Sequence, residues 1–140
     1  MGAWGHRNFE NDTALDLVAN LYDENMDKED IFIAINEVAT FPPEADSQSG
    51  PESDECATCL AAIEFIAASK GKPSEDFPED AEEWLGLNPD LTFPGTDITT
   101  LCLQAINQIR TASELKELWK ESEFYQKWLD VVADLEKRIQ

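Results

Sequence analysis

Between Ser53 and Ser69 the chain is apolar on nearly every side: Cys56, Ala57, Cys59, Leu60, Ala61, Ala62, Ile63, Phe65, Ile66, Ala67 and Ala68 leave no wide polar face at a spacing of about 3.6 residues per turn. A helix that is apolar all round has to lie at the centre of a protein, because no orientation exposes a polar side to water. Ser53 is positioned to cap this helix, and Gly71 and Pro73 stop it. The remainder of the chain must then supply the elements that cover it.

Those elements read as further helices. Ala14, Leu15, Leu17, Val18, Leu21 and Tyr22 fall on one side of a helix over about residues 11–23, opened by Asn11 or Asp12. Asp27 and Asp30 have capping-box spacing ahead of Ile31, Ala34, Ile35, Val38 and Ala39, and Pro42-Pro43 ends that second helix. Asp97 is placed to cap a helix with Ile98, Leu101, Cys102, Ala105, Ile106 and Ile109. Thr111 and Glu114 predict a capping box before Leu115, Leu118 and Trp119. Tyr125, Trp128, Leu129, Val132, Leu135 and Ile139 form the stripe of a last helix, with Lys137 and Arg138 complementing the negative end of its dipole. No run alternates with period two. The expectation is an all-α single domain, a bundle of about six or seven helices over residues 1–140, irregular or built from solenoid-like pairs although no repeat period is visible. A chain of about this size buries roughly 68–70% of its unfolded surface, enough for a core without staples.

Two segments break the pattern and are strongly acidic. Residues 42–55, PPEADSQSGPESDE, hold three prolines, three serines, one glycine and five acids, the composition of a surface loop. Residues 75–83 carry six acids, with Pro78 suited to a first helical position and Trp84 and Leu85 pinning a short helix to the core. The formal net charge is −20; residues 1–109 hold 23 acids against 4 bases, a net of −19, and the rest is nearly balanced. A field of that sign repels nucleic acid and anionic membrane and draws in basic proteins. It also keeps a protein soluble, whatever its role.

The opening residues Gly2, Trp4, Gly5, Phe9, Asn11, Asp12, Ala14 and Asp16 form a compact constellation. Two glycines around Trp4 permit a tight turn that buries the indole, and Phe9 packs ahead of the Asn11 cap. This opening resembles the MGxWGxGxFxNDxAxD start of a bacterial family catalogued as domain of unknown function 4259. The likeness continues through AAIEFIAASKGKPSEDFPED and SELKELWKESEFYQKWLDVVADLEKRI, so it spans most of the chain. The resemblance implies a small bacterial domain and carries over no catalytic residue. Where the family pattern has a second glycine, this chain has Arg7.

Several groups have chemical potential. His6, Asp12 and Asp16 are a candidate divalent-metal set, against the simpler reading that early aspartates cap a helix and complement its dipole. Cys56 and Cys59 have redox or zinc spacing but sit within the apolar helix, where buried small hydrophobes are the better expectation. Trp119, Tyr125 and Trp128 read first as core and second as an interface anchor. One histidine in the whole chain and no strand-turn-helix elbow around a serine argue against a hydrolase with an ordinary nucleophile and base. No cofactor is expected.

The odd cysteine count and the lack of a basic-then-apolar leader or of a run near 20 apolar residues point to the cytoplasm. The function expected is that of an immunity-type binding protein, not an enzyme, that neutralises a basic toxin domain, a nuclease being the leading case. Its partner-binding residues would be Glu44, Asp46, Glu52, Asp54, Glu55, Glu75, Asp76, Glu79, Asp80, Glu82 and Glu83. The alternatives are a metal-binding protein or hydrolase using His6, Asp12 and Asp16, and a non-catalytic scaffold.

Overall fold

The apolar run of residues 53–69 does form the centre of the molecule. A computed structural model describes residues 5–42 and 50–140; Gly2, Trp4, Glu44 and Asp46 lie outside them. Among the described residues the elements are seven helices: α1 (Asp12–Tyr22), α2 (Lys28–Ala39), α3 (Ser53–Ser69), α4 (Glu79–Leu87), α5 (Ile98–Thr111), α6 (Glu114–Lys120) and α7 (Tyr125–Ile139). Eleven residues of α3 are buried, and α3 packs on each of the other six helices. In a solenoid each unit touches only its neighbours. Here all surround one helix, so the all-α domain is an irregular bundle and not a row of helix pairs.

The apolar stripes meet around α3 as their spacing requires. Leu17, Val18 and Leu21 of α1, Ile31, Ile35 and Val38 of α2, Cys102, Ile106 and Ile109 of α5, and Trp128, Val132, Leu135 and Ile139 of α7 are all buried. At one end Phe65 is the hub of an aromatic cluster. Phe77 and Trp84 approach it edge-on with centroids at 5.3 and 5.5 Å, and Phe9 meets Phe77 at 5.6 Å. These arrangements place the positive ring edge of one side chain on the negative face of the next. They fix the N-terminal segment and α4 to the same end of α3.

Local chemistry sets the helix ends, and in three places it differs from expectation. Asn11 caps α1, its side chain accepting from the Ala14 N–H at 2.8 Å, and Asp27 and Asp30 form the expected capping box of α2. The cap of α3, however, is Glu52 and not Ser53, because the Ser53 N–H donates to the Glu114 carboxylate at 2.8 Å and starts the helix there. Pro78 is the cap of α4, one position before the first helical residue. Thr111 remains within α5, where its hydroxyl donates to the Asn107 carbonyl, and Ser113 caps α6 by accepting from the Lys116 N–H at 3.0 Å. Gly71 follows α3 at φ +83°, the left-handed stop that glycine adopts without strain.

Candidate interaction surface

The N-terminal segment, α3 and α7 are tied together by an ionic network that defines one side of the molecule. Glu64 is the one carboxylate of α3 beyond its first turn and is 1% exposed. Arg138 meets it with two parallel contacts, Nη1 to Oε1 at 2.7 Å and Nη2 to Oε2 at 2.9 Å, and Asn8 Nδ2 donates to Oε2 at 2.7 Å. Arg138 also donates to Asp134 at 2.7 Å and to the Lys72 carbonyl at 3.1 Å. Burial disfavours the charge on Arg138, but its hydrogen bonds to Glu64 and Asp134, with the negative charge of both, outweigh it and raise the guanidinium pKa. Placing Arg138 merely at a helix dipole therefore understates its part: it neutralises a buried acid 74 residues away. The signal for this pair was a lone acid inside an apolar helix, a residue that stays buried only when paired.

A cleft of about 560 Å³ opens over this network, lined by His6, Asn8, Ser74, Asp76, Lys127 and Asp130 among others. It mixes both signs of charge, and Glu64 and Arg138 at its floor are occupied with each other. His6 stacks on Phe124 with centroids at 6.3 Å. Asp12 and Asp16 are exposed on α1, and among the described residues no group of three His, Cys, Asp or Glu side chains is spaced to hold a metal ion.

The first acidic segment serves partly as local structure. The Glu52 N–H donates to Glu55 at 3.3 Å, and Asp54 accepts from the Thr13 hydroxyl at 3.3 Å. All three carboxylates are nonetheless exposed. The segment before them makes a sharp entry into α3: Gly50 has φ +75°, and a Cβ there would collide with the Ala112 carbonyl. The Glu114 N–H donates to the Pro51 carbonyl at 3.0 Å, closing the entry against the start of α6.

The second segment divides in two. Glu75 lies 3.8 Å from Arg7, and Asp76 accepts from the Phe9 N–H at 3.3 Å, so these two hold the N-terminal turn in place. Glu79, Asp80, Glu82 and Glu83 are exposed on α4, whose apolar side is carried by the buried Ala81 and Trp84. Glu83 reaches the hydroxyl of Tyr22 on α1; hydrogen bonding and charge from Glu83, with burial and the nearby Asp80 and Asp23 adding less, raise the tyrosine pKa. Thus α4 brings its acids together with those at the end of α1, a juxtaposition that depends on packing and cannot be read from either segment alone.

The cysteines are buried inside the core. Burial pushes the Cys56 and Cys102 thiols up to about 12 and holds Cys59 well above its ordinary value. Suppressed ionisation makes them poor nucleophiles. Of the C-terminal aromatics, Trp128 is buried and stacks on Tyr125 at 6.2 Å, while Tyr125 and Trp119 are half-buried. No helix of the described residues is long and apolar enough to cross a membrane.

A family profile described as Domain of unknown function (DUF4259) matches residues 2–131, and the chain belongs to this family. No curated protein and no solved structure matches it significantly.

Proposed function

We propose that this member of the DUF4259 family is an acidic, cytoplasmic, immunity-type protein that binds a basic toxin domain, a nuclease being the leading case, and occludes its cationic site without catalysing a reaction. One observation carries the reading. Of the nine candidate partner-binding acids within the described residues, all but Asp76 are exposed, and Glu75 with Arg7 makes the only ion pair among them. Among the described residues the shorter ionic contacts lie elsewhere: Arg138 is spent on Glu64 and Asp134, and Arg110 on Glu136 at 2.9 Å. The surface acids are left for an external cation.

Complementary charge of this kind accelerates encounter toward about 10⁸–10⁹ M⁻¹s⁻¹ at low salt, and a standard interface of about 1,600 Å² supplies the remaining affinity. A rigid helical frame suits the task, since presenting acids on preformed helices avoids an ordering cost on binding. The test begins from the neighbouring genes in the native genome, where the proposal expects a basic protein, and co-expresses that protein with this one. Rescue of growth together with a stable purified complex is expected; persistent toxicity with no complex would overturn the proposal.

A further inference from the structure

The ends of α1 and α4 enclose a groove of about 620 Å³. Its inner wall is apolar, with Leu21 and Trp84 buried and Met26 half-buried. Two large side chains remain open on it, Tyr22 at 45% exposed and Leu87 at 80%. The rest of the lining includes Glu24, Asp27 and Glu83, and among the described residues no lysine, arginine or histidine. The nearest base in the sequence, Lys28, is drawn away over the Phe93 ring at 5.8 Å.

Leu87 is the last residue of α4, and that helix is already held by Ala81, Trp84 and Leu85. Its side chain adds nothing visible to the core. Scattered surface leucines are ordinary, but this one shares a groove with an open tyrosine, and the charges around both have one sign. Tyrosine is among the residues that dominate interface energetics.

We propose that this groove seats a basic, amphipathic segment of the protein partner, one apolar side chain packing between Tyr22 and Leu87 while flanking lysines or arginines meet Glu24, Asp27 and Glu83. The assignment rests on the reading that the partner is basic. Charge complementarity selects the occupant: Asp27 already accepts from the Glu29 N–H and Glu83 reaches the Tyr22 hydroxyl, but a neutral apolar segment would bury these carboxylates without a counter-charge, and an acidic one would be repelled.

Two synthetic peptides of equal positive charge test it, one alternating lysine with leucine and the other lysine with serine. They are titrated into the ¹⁵N-labelled protein at low and high salt. The leucine peptide is expected to bind the wild type on the order of tenfold more tightly, with amide shifts centred on residues 22–27 and 83–88. Leu87→Ser should abolish most of that preference, and because Leu87 is so exposed this variant keeps its fold. Ile33→Ser, which removes an exposed apolar group from α2, should retain the preference. Equal binding of both peptides, or a preference that survives Leu87→Ser, overturns the groove assignment while salt-dependent binding leaves the proposed function standing. Failure of both peptides to bind even at low salt overturns the two together.

Discussion

Arg138 grips the buried Glu64 carboxylate through parallel contacts of 2.7 and 2.9 Å, joining the last turn of α7 to the middle of α3. The Glu64 side chain is 1% exposed and that of Arg138 15%, so neither charge is well solvated without the other. Arg138→Ala should therefore destabilise the fold by about 3–5 kcal/mol, since it strands a buried charge. Replacing both partners, as Glu64→Leu/Arg138→Met, should recover much of the loss. Urea denaturation of the three proteins measures both effects.

Ser113 is buried and uses its hydroxyl twice, accepting from the Lys116 N–H at 3.0 Å and donating to the Ile109 carbonyl at 2.7 Å. It thus ends α5 and begins α6. Ser113→Ala is expected to cost about 1–2 kcal/mol, whereas Thr111→Ala, at an exposed hydroxyl bonded within its own helix, should cost less. Thermal denaturation of the pair separates the two positions.

The buried thiols make stability depend on alkaline pH. Cys56 and Cys102 stay protonated in the fold up to about 12, while an unfolded cysteine ionises near 8.5. The folded state then binds more protons than the unfolded one between these values. Stability should be complete below about pH 8.5 and fall as pH rises toward about 12. Denaturation midpoints across this range should decline less steeply in Cys102→Ala, and native protein should resist thiol-modifying reagents until unfolded.

Much of the architecture was legible in the residues. The all-round apolar pattern of residues 53–69 marked α3 as central, and three- and four-residue spacing found the helices around it, because both follow from which side chains must avoid water. Helix starts were less legible where two hydroxyls competed. Thr111 has the better spacing to an acid, but Ser113 is the one whose hydroxyl spans two helices. The partners in long-range relationships were not legible: an acid inside an apolar helix signals that Glu64 needs one, but nothing local links Glu64 to Arg138, Asp76 to the Phe9 amide, or Glu83 to Tyr22. The acids of the candidate surface could be named from composition. Which of them brace the N-terminal turn and which stand open on α4 followed only from packing.

The central claim is that exposed carboxylates largely free of ion pairs draw in a basic macromolecule, and its most direct measurement is the association rate with the basic neighbour that the proposal expects, followed across ionic strength. The wild type is compared with a Glu79→Gln/Asp80→Asn/Glu82→Gln/Glu83→Gln variant. Between about 20 and 500 mM salt the Debye length shrinks severalfold, so the wild-type rate should fall by at least about tenfold and the variant should start lower and fall less. A rate indifferent to salt, or a variant that associates as fast as the wild type, would contradict the account.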